Sequence, residues 1–123
     1  MLFRSSLKIP QGITEISSFA FYGGGFDGAL IMHDGIIAIG ERAFGLCKFK
    51  GELNLPSKIF ILEDEVFINC NFSGNLKLPQ NLRSIGMSVF ENNVRLSGIL
   101  EFPPSVTSIS ARSEEHTSEL QSR

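Results

Sequence analysis

The chain has 123 residues, 42% of them hydrophobic, which is enough for one shared core and a single domain. Its 13 acids against 11 Lys plus Arg give a formal charge of −2 and leave no basic face for nucleic acid or another polyanion. No apolar run approaches the roughly 18 residues of a transmembrane helix, so no membrane insertion is expected. In chain order, Met1 to Ser6 carries charge with no apolar core after it and does not read as a signal peptide. Phe3 stands 23 residues before Phe26, so the sequence is expected to open inside a repeating unit of a longer protein.

That unit is legible from Leu7 onward. Gly28, Gly51, Gly74 and Gly98 stand 23, 23 and 24 residues apart, and alignment on them gives units at 7–29, 30–52, 53–75 and 76–99 with a partial fifth at 100–111. A period of this length marks a solenoid, whose units bury their apolar faces only against neighbours. Each unit opens on an apolar pair two residues apart: Leu7 and Ile9, Leu30 and Met32, Leu53 and Leu55, Leu76 and Leu78, Leu100 and Phe102. The alternation predicts a short strand, ended by Pro10, Pro56, Pro79 or Pro103, with His33 in that slot of the second unit. A second pair, three residues apart as in Ile13 and Ile16 or Ile36 and Ile39, fits either another brief strand or a corner. Gly40 and Gly86 follow it directly where Ser17, Glu63 and Ser110 stand in other units, so a turn there favours glycine without requiring it.

Next come segments such as Glu41 to Phe44 and Asp64 to Phe67, too short for an independent helix but sufficient for one helical or 3₁₀ turn that lays its Phe inward. With rungs stacked at about 4.8 Å, Phe21, Phe44, Phe67 and Phe90 form one expected ladder. Phe26, Phe49 and Phe72, continued by Leu96, form a second.

The run Leu-x-Leu-Pro, then Ile or Leu-x-x-Ile-Gly, then Ala-Phe and Cys resembles the BspA-type leucine-rich repeat, most clearly at Ile36 to Cys47 and Phe72 to Ile85. The resemblance covers residues 3 to about 110. It implies a β-rich leucine-rich-repeat solenoid of about 23-residue repeats, with one or two short parallel strands per rung and short helical or 3₁₀ turns. It also implies a non-catalytic module for protein interaction and adhesion, with a protein or glycan ligand, in a parent protein at the cell surface or outside the cell. An intracellular leucine-rich-repeat scaffold and an accessory repeat region of a secreted enzyme are the alternative readings. His33 for proline, Leu62-Glu63 for Ile-Gly and Asn93 for Cys depart from the pattern without breaking its frame. Cys47 and Cys70 share one slot of successive units, close enough when stacked for a disulfide. In this repeat type the slot holds a small buried residue, so free thiols are expected. Residues 112–123 abandon the pattern: Ser113 and Glu114 stand where Ala-Phe is due, and Arg112 to Ser122 resembles a translated sequencing adapter. That segment is therefore set apart as a non-native or disordered tail.

No catalytic, cofactor-binding or metal-ligating constellation emerges, and no cofactor is expected. His33 is alone among the repeats, His116 lies in the tail, and a metal needs three or four donors. Asp34 beside His33 reads as part of a polar turn. Gly23 to Gly25 runs into Phe26 and Asp27 instead of a phosphate-presenting helix, and Glu63, Asp64 and Glu65 read as a solvated outer turn. A partner-binding patch is expected at Ile31, Ile37, Phe60 and Ile61. The outward slot after the Ile13 column runs Thr14, Ile37, Phe60, Arg83 and Thr107, apolar only at its second and third members, and Ile31 occupies a slot that is Lys8, Asn54, Lys77 and Glu101 elsewhere. Contiguous exposed apolar patches of this kind mark protein contacts. The open ends of the array are also expected to self-associate.

Overall fold

The computed structural model describes residues 6–97, 99–100, 102–109 and 121–122. Phe3, Ser110 and most of the 112–123 tail lie outside the described residues. The described strands are β1 (Leu7–Lys8), β2 (Glu15–Ile16), β3 (Leu30–Ile31), β4 (Ala38–Ile39), β5 (Lys50–Glu52), β6 (Ile61–Leu62), β7 (Asn71–Asn75), β8 (Ser84–Ile85), β9 (Arg95–Ser97), β10 (Ile99–Leu100), β11 (Ser108–Ile109) and β12 (Gln121–Ser122). Every pairing is parallel and joins one rung to the next. The chain is thus a parallel-strand solenoid, as its repeat period predicts.

The segment left open between strand and corner is the most regular strand of all. It forms a five-stranded sheet in the order β11-β8-β6-β4-β2, with Ile16 opposite Ile39, Ile39 opposite Leu62 and Leu62 opposite Ile85. Among the described residues, the opening segment pairs as strand in β1 with β3 and in β10 with β12. A third column, β5-β7-β9, runs through the repeating glycines, where Gly51 and Gly74 take φ of +85° and +86°. Left-handed glycines kink a strand as bulges do. Pairing there joins Gly51 to Phe72 and Gly74 to Leu96, not glycine to glycine.

Before each Pro slot the chain runs extended, and after it comes a tight turn. The N–H three residues on donates to the carbonyl of Pro10, Pro56, Pro79 and Pro103 at 3.0–3.4 Å, and Ile36 donates likewise to His33 at 3.3 Å. Proline suits this position because its own missing N–H is not asked for. Gly40 and Gly86 have ordinary φ; their need for glycine is closeness, since a Cβ on either would lie 2.6 Å from the backbone nitrogen of Ser18 or Asp64 in the rung below.

The expected helical turns are not present among the described residues. In the first rung Ala20, Tyr22 and Gly24 do donate to the carbonyls three residues back, as in a 3₁₀ turn, at 3.0–3.2 Å. The intervening amides of Phe19, Phe21 and Gly23 instead donate to Glu41, Ala43 and Gly45 of the next rung at 2.8–2.9 Å. What redirects them is a left-handed residue at two places per rung. Phe19, Arg42, Glu65 and Ser88 occupy one such column, with φ of 53–60°, and Gly23, Leu46, Asn69 and Asn92 the other, with φ of 55–66°. Alternating conformation turns every second N–H along the solenoid axis, so a curved segment stacks as if it were a strand.

Inside the coil both aromatic ladders are formed. Phe21, Phe44, Phe67 and Phe90 stack with centroids 5.5, 5.7 and 6.0 Å apart and planes within 5° of parallel. Phe26, Phe49 and Phe72 stack at 5.6 and 5.9 Å, and each meets the first ladder edge to face, Phe67 against Phe72 at 5.8 Å. Leu96 is buried at the end of the second ladder. Each fully buried ring stabilises by roughly 1.5–3 kcal/mol, so the two columns carry much of the fold.

Candidate functional site

The outward column beside the five-stranded sheet is itself a backbone ladder. Phe60 N–H donates to Ile37 at 3.0 Å, Arg83 to Phe60 at 2.8 Å and Thr107 to Arg83 at 2.9 Å. Ile37, Phe60, Arg83 and Thr107 therefore stand one rung apart in a row. Phe60 is 43% exposed and Ile37 half-buried; Ile61, half-buried, follows Phe60 directly and opens β6. Ile31 is 45% exposed but belongs to β3, paired with Lys8 of β1 in a different sheet and separated from Ile37 by the turn at His33. The structure thus groups Ile37, Phe60 and Ile61 where the chain enters β4 and β6 and sets Ile31 in another sheet.

Next to this row lies a shallow groove of about 510 Å³, lined by Lys58, Phe60, Asn81, Arg83 and Ser105. Apolarity alone could not find it from sequence, because four of its five residues are polar. A periodic reading could have done so: Lys58, Asn81 and Ser105 are one slot of successive units, Phe60 and Arg83 another, and between them runs the buried column Ile59 and Leu82.

The other candidates are committed to the coil. His33 Nδ1 accepts the Gly35 N–H at 3.1 Å, which places the ring proton on Nε2, and Nε2 donates to the Pro10 carbonyl at 2.8 Å. Asp34 accepts the Ser57 amide and Asp64 the Met87 amide, each bridging one rung to the next. Glu65 pairs with Arg42, whose guanidinium also lies 5.6 Å from the Phe19 ring centroid. Among the described residues, no group of three His, Cys, Asp or Glu is arranged to hold a metal ion.

Cys47 and Cys70 are free thiols. Each donates to the carbonyl of the stacked Phe one rung down, Cys47 to Phe21 and Cys70 to Phe44, both at 3.1 Å. Asn93 continues the column: fully buried, it donates through Nδ2 to Phe67 at 2.7 Å and accepts the Phe72 amide at 3.2 Å. The slot asks for a compact donor, and Cys and Asn both supply one. Burial raises the thiol pKa at both cysteines; at Cys70 the neighbouring Cys47 adds to it, and at Cys47 the backbone amides of Gly23 to Gly25 oppose it. Both thiols stay protonated and unreactive near neutrality.

A parallel coil of 23-residue rungs with inward aliphatic and Phe columns defines a leucine-rich-repeat protein. Residues 4–121 match the BspA type leucine rich repeat region in six copies, and the chain belongs to that family. Its fold is similar to that of a leucine rich cell surface protein from Faecalibacterium prausnitzii A2-165, with a TM-score of 0.78 at 22% identity over 98% of this chain. The chain spans 32% of the length of that protein. No curated protein matches the chain.

Proposed function

We propose that the chain is a non-catalytic protein-interaction and adhesion module of a larger cell-surface repeat protein, and that its contact face is the row Ile37, Phe60 and Ile61 with Ile31 at its margin. The observation that carries this reading is Phe60. A phenylalanine 43% exposed directly before β6, in the column where Thr14 and Thr107 stand in outer rungs, offers a large apolar surface to a partner. The surface location draws support from the family and from the cell-surface character of the similar structure.

The test is Phe60→Thr. Immobilised wild-type chain and variant are compared for binding to a panel of extracellular-matrix proteins and to a glycan array, with melting curves confirming an intact fold. Binding by the wild type that the variant loses supports the reading; equal binding by both removes the face from it.

A further inference from the structure

We propose that the groove between the two outward columns is a recognition site for an acidic peptide, in which a carboxylate seats between Lys58 and Arg83 while an adjacent apolar side chain packs on Phe60. This rests on reading the Phe60 face as a partner surface and adds the chemistry of the partner. The two cations stand on opposite walls, Lys58 in the column with Asn81 and Ser105, Arg83 in the column with Phe60, one rung apart. In sequence the buried Ile59 and Leu82 column separates the two outward columns. No acid lines the groove. Asp34, in the preceding rung's turn, accepts the Ser57 amide, and among the described residues neither Lys58 nor Arg83 has an ion pair; in the outer turn Glu65 pairs with Arg42 and Asp64 accepts the Met87 amide.

The groove therefore presents two positive charges whose counter-charge is missing on a chain that is itself slightly acidic. Charge complementarity of this kind selects partners and sets encounter rates. The walls also fix the order of chemistry along the coil. Ile37 and Phe60 are apolar, Arg83 follows them in the same column, and Asn81 and Ser105 face it with neutral hydrogen-bonding groups; the single Ser105 hydroxyl proton is shared between the Gln80 and Leu82 carbonyls, so toward a ligand the hydroxyl accepts. Three rungs span about 10 Å, the length of three extended residues. A short peptide with an acid beside an apolar residue, as in Glu-Phe, fits that span. The apolar continuation through Ile37 favours a peptide over an acidic sugar, whose hydroxyls would find no partner there.

The experiment uses the full chain and three fluorescein-labelled pentapeptides, Gly-Glu-Phe-Glu-Gly and its Gln-Phe-Gln and Lys-Phe-Lys counterparts, titrated by fluorescence anisotropy. The acidic peptide should bind at least tenfold more tightly than the neutral one, and its advantage should shrink on going from low to high salt. The double variant Lys58→Glu with Arg83→Glu should lose the acidic peptide and gain the basic one. Arg83→Gln serves as a milder variant should the double reversal fail to fold. Equal affinity for the acidic and neutral peptides, or charge variants that bind as wild type does, would overturn the site. So would tetragalacturonate binding with no peptide binding, which would make the occupant an acidic sugar. If Phe60→Thr abolishes binding while the charge variants do not, only the carboxylate seat falls; if none of the variants matters, the whole face falls.

Discussion

At the scale of single residues, the fold depends on side chains whose surroundings repeat one rung away. Phe67 is the clearest case: fully buried, it stacks between Phe44 and Phe90 and meets Phe72 edge on. Because Phe44 is held in turn by Phe21 and Phe49, and Phe72 by Phe49, the site cannot collapse on a small replacement. Phe67→Ala should therefore cost about 3–5 kcal/mol, the range for emptying an aromatic core position, read as a shift in the urea midpoint. Phe21, half-buried at the first described rung, should cost less when changed the same way. The stacked cysteines bear on pH. Burial raises the Cys70 pKa above its ordinary value of 9.0, so the native state keeps a proton that the unfolded chain releases. That contribution is fully present below pH 9.0 and declines as the pH rises above it. Urea titrations at neutral and alkaline pH should show the loss, and Cys70→Ala should show a smaller one.

At the scale of the rung, the columns buried at spacings of two and three residues were legible in the sequence, because burial writes itself as aliphatic and aromatic identity. Ile36, Ile39, Phe44 and Phe49 and their equivalents in the two following rungs are buried as their pattern requires. The turn between corner and Phe was not legible, and the reason is physical. Its left-handed column holds Phe19, Arg42, Glu65 and Ser88, none of them a residue that announces positive φ. The conformation is imposed by hydrogen bonds to the next rung and not by local preference. Likewise Gly40 and Gly86 answer to the backbone beneath them, which no single-rung reading contains. The groove was missed for a related reason: Lys58 and Arg83 matter by standing opposite each other across Ile59 and Leu82, not by type. Where the left-handed column does contain a poor residue, repair should help. Leu46 holds φ of 55° while 40% exposed, in a slot occupied by Gly23, Asn69 and Asn92 elsewhere. Asn92 already donates its side-chain amide to Asn69. Leu46→Asn should extend that ladder and relieve backbone strain, raising stability by about 0.5–1 kcal/mol given the roughly 1–2 kcal/mol that a left-handed conformation costs most residues. Thermal melts of the two proteins decide it.

At the scale of the whole molecule, every sheet pairing and every ring stack joins adjacent rungs, so stability is a chain of nearest-neighbour terms. A rung at the edge of such a stack has one interface where inner rungs have two. The consequence shows in the Ile13 column: Ile36, Ile59 and Leu82 are fully buried, whereas Ile13 is 41% exposed. The same end is where β2 terminates the five-stranded sheet. An apolar residue beside a terminal strand is a template for another copy of the chain, and natural edges are commonly blunted by charge. We therefore expect the 123-residue chain to self-associate, with a sedimentation coefficient that rises with protein concentration. Ile13→Lys should suppress that rise while costing far less melting temperature than the same change at an inner rung, because the side chain is already 41% exposed. A concentration-independent monomer for the unaltered chain would show that the end face is already covered, and would transfer that role to the segments flanking the stack.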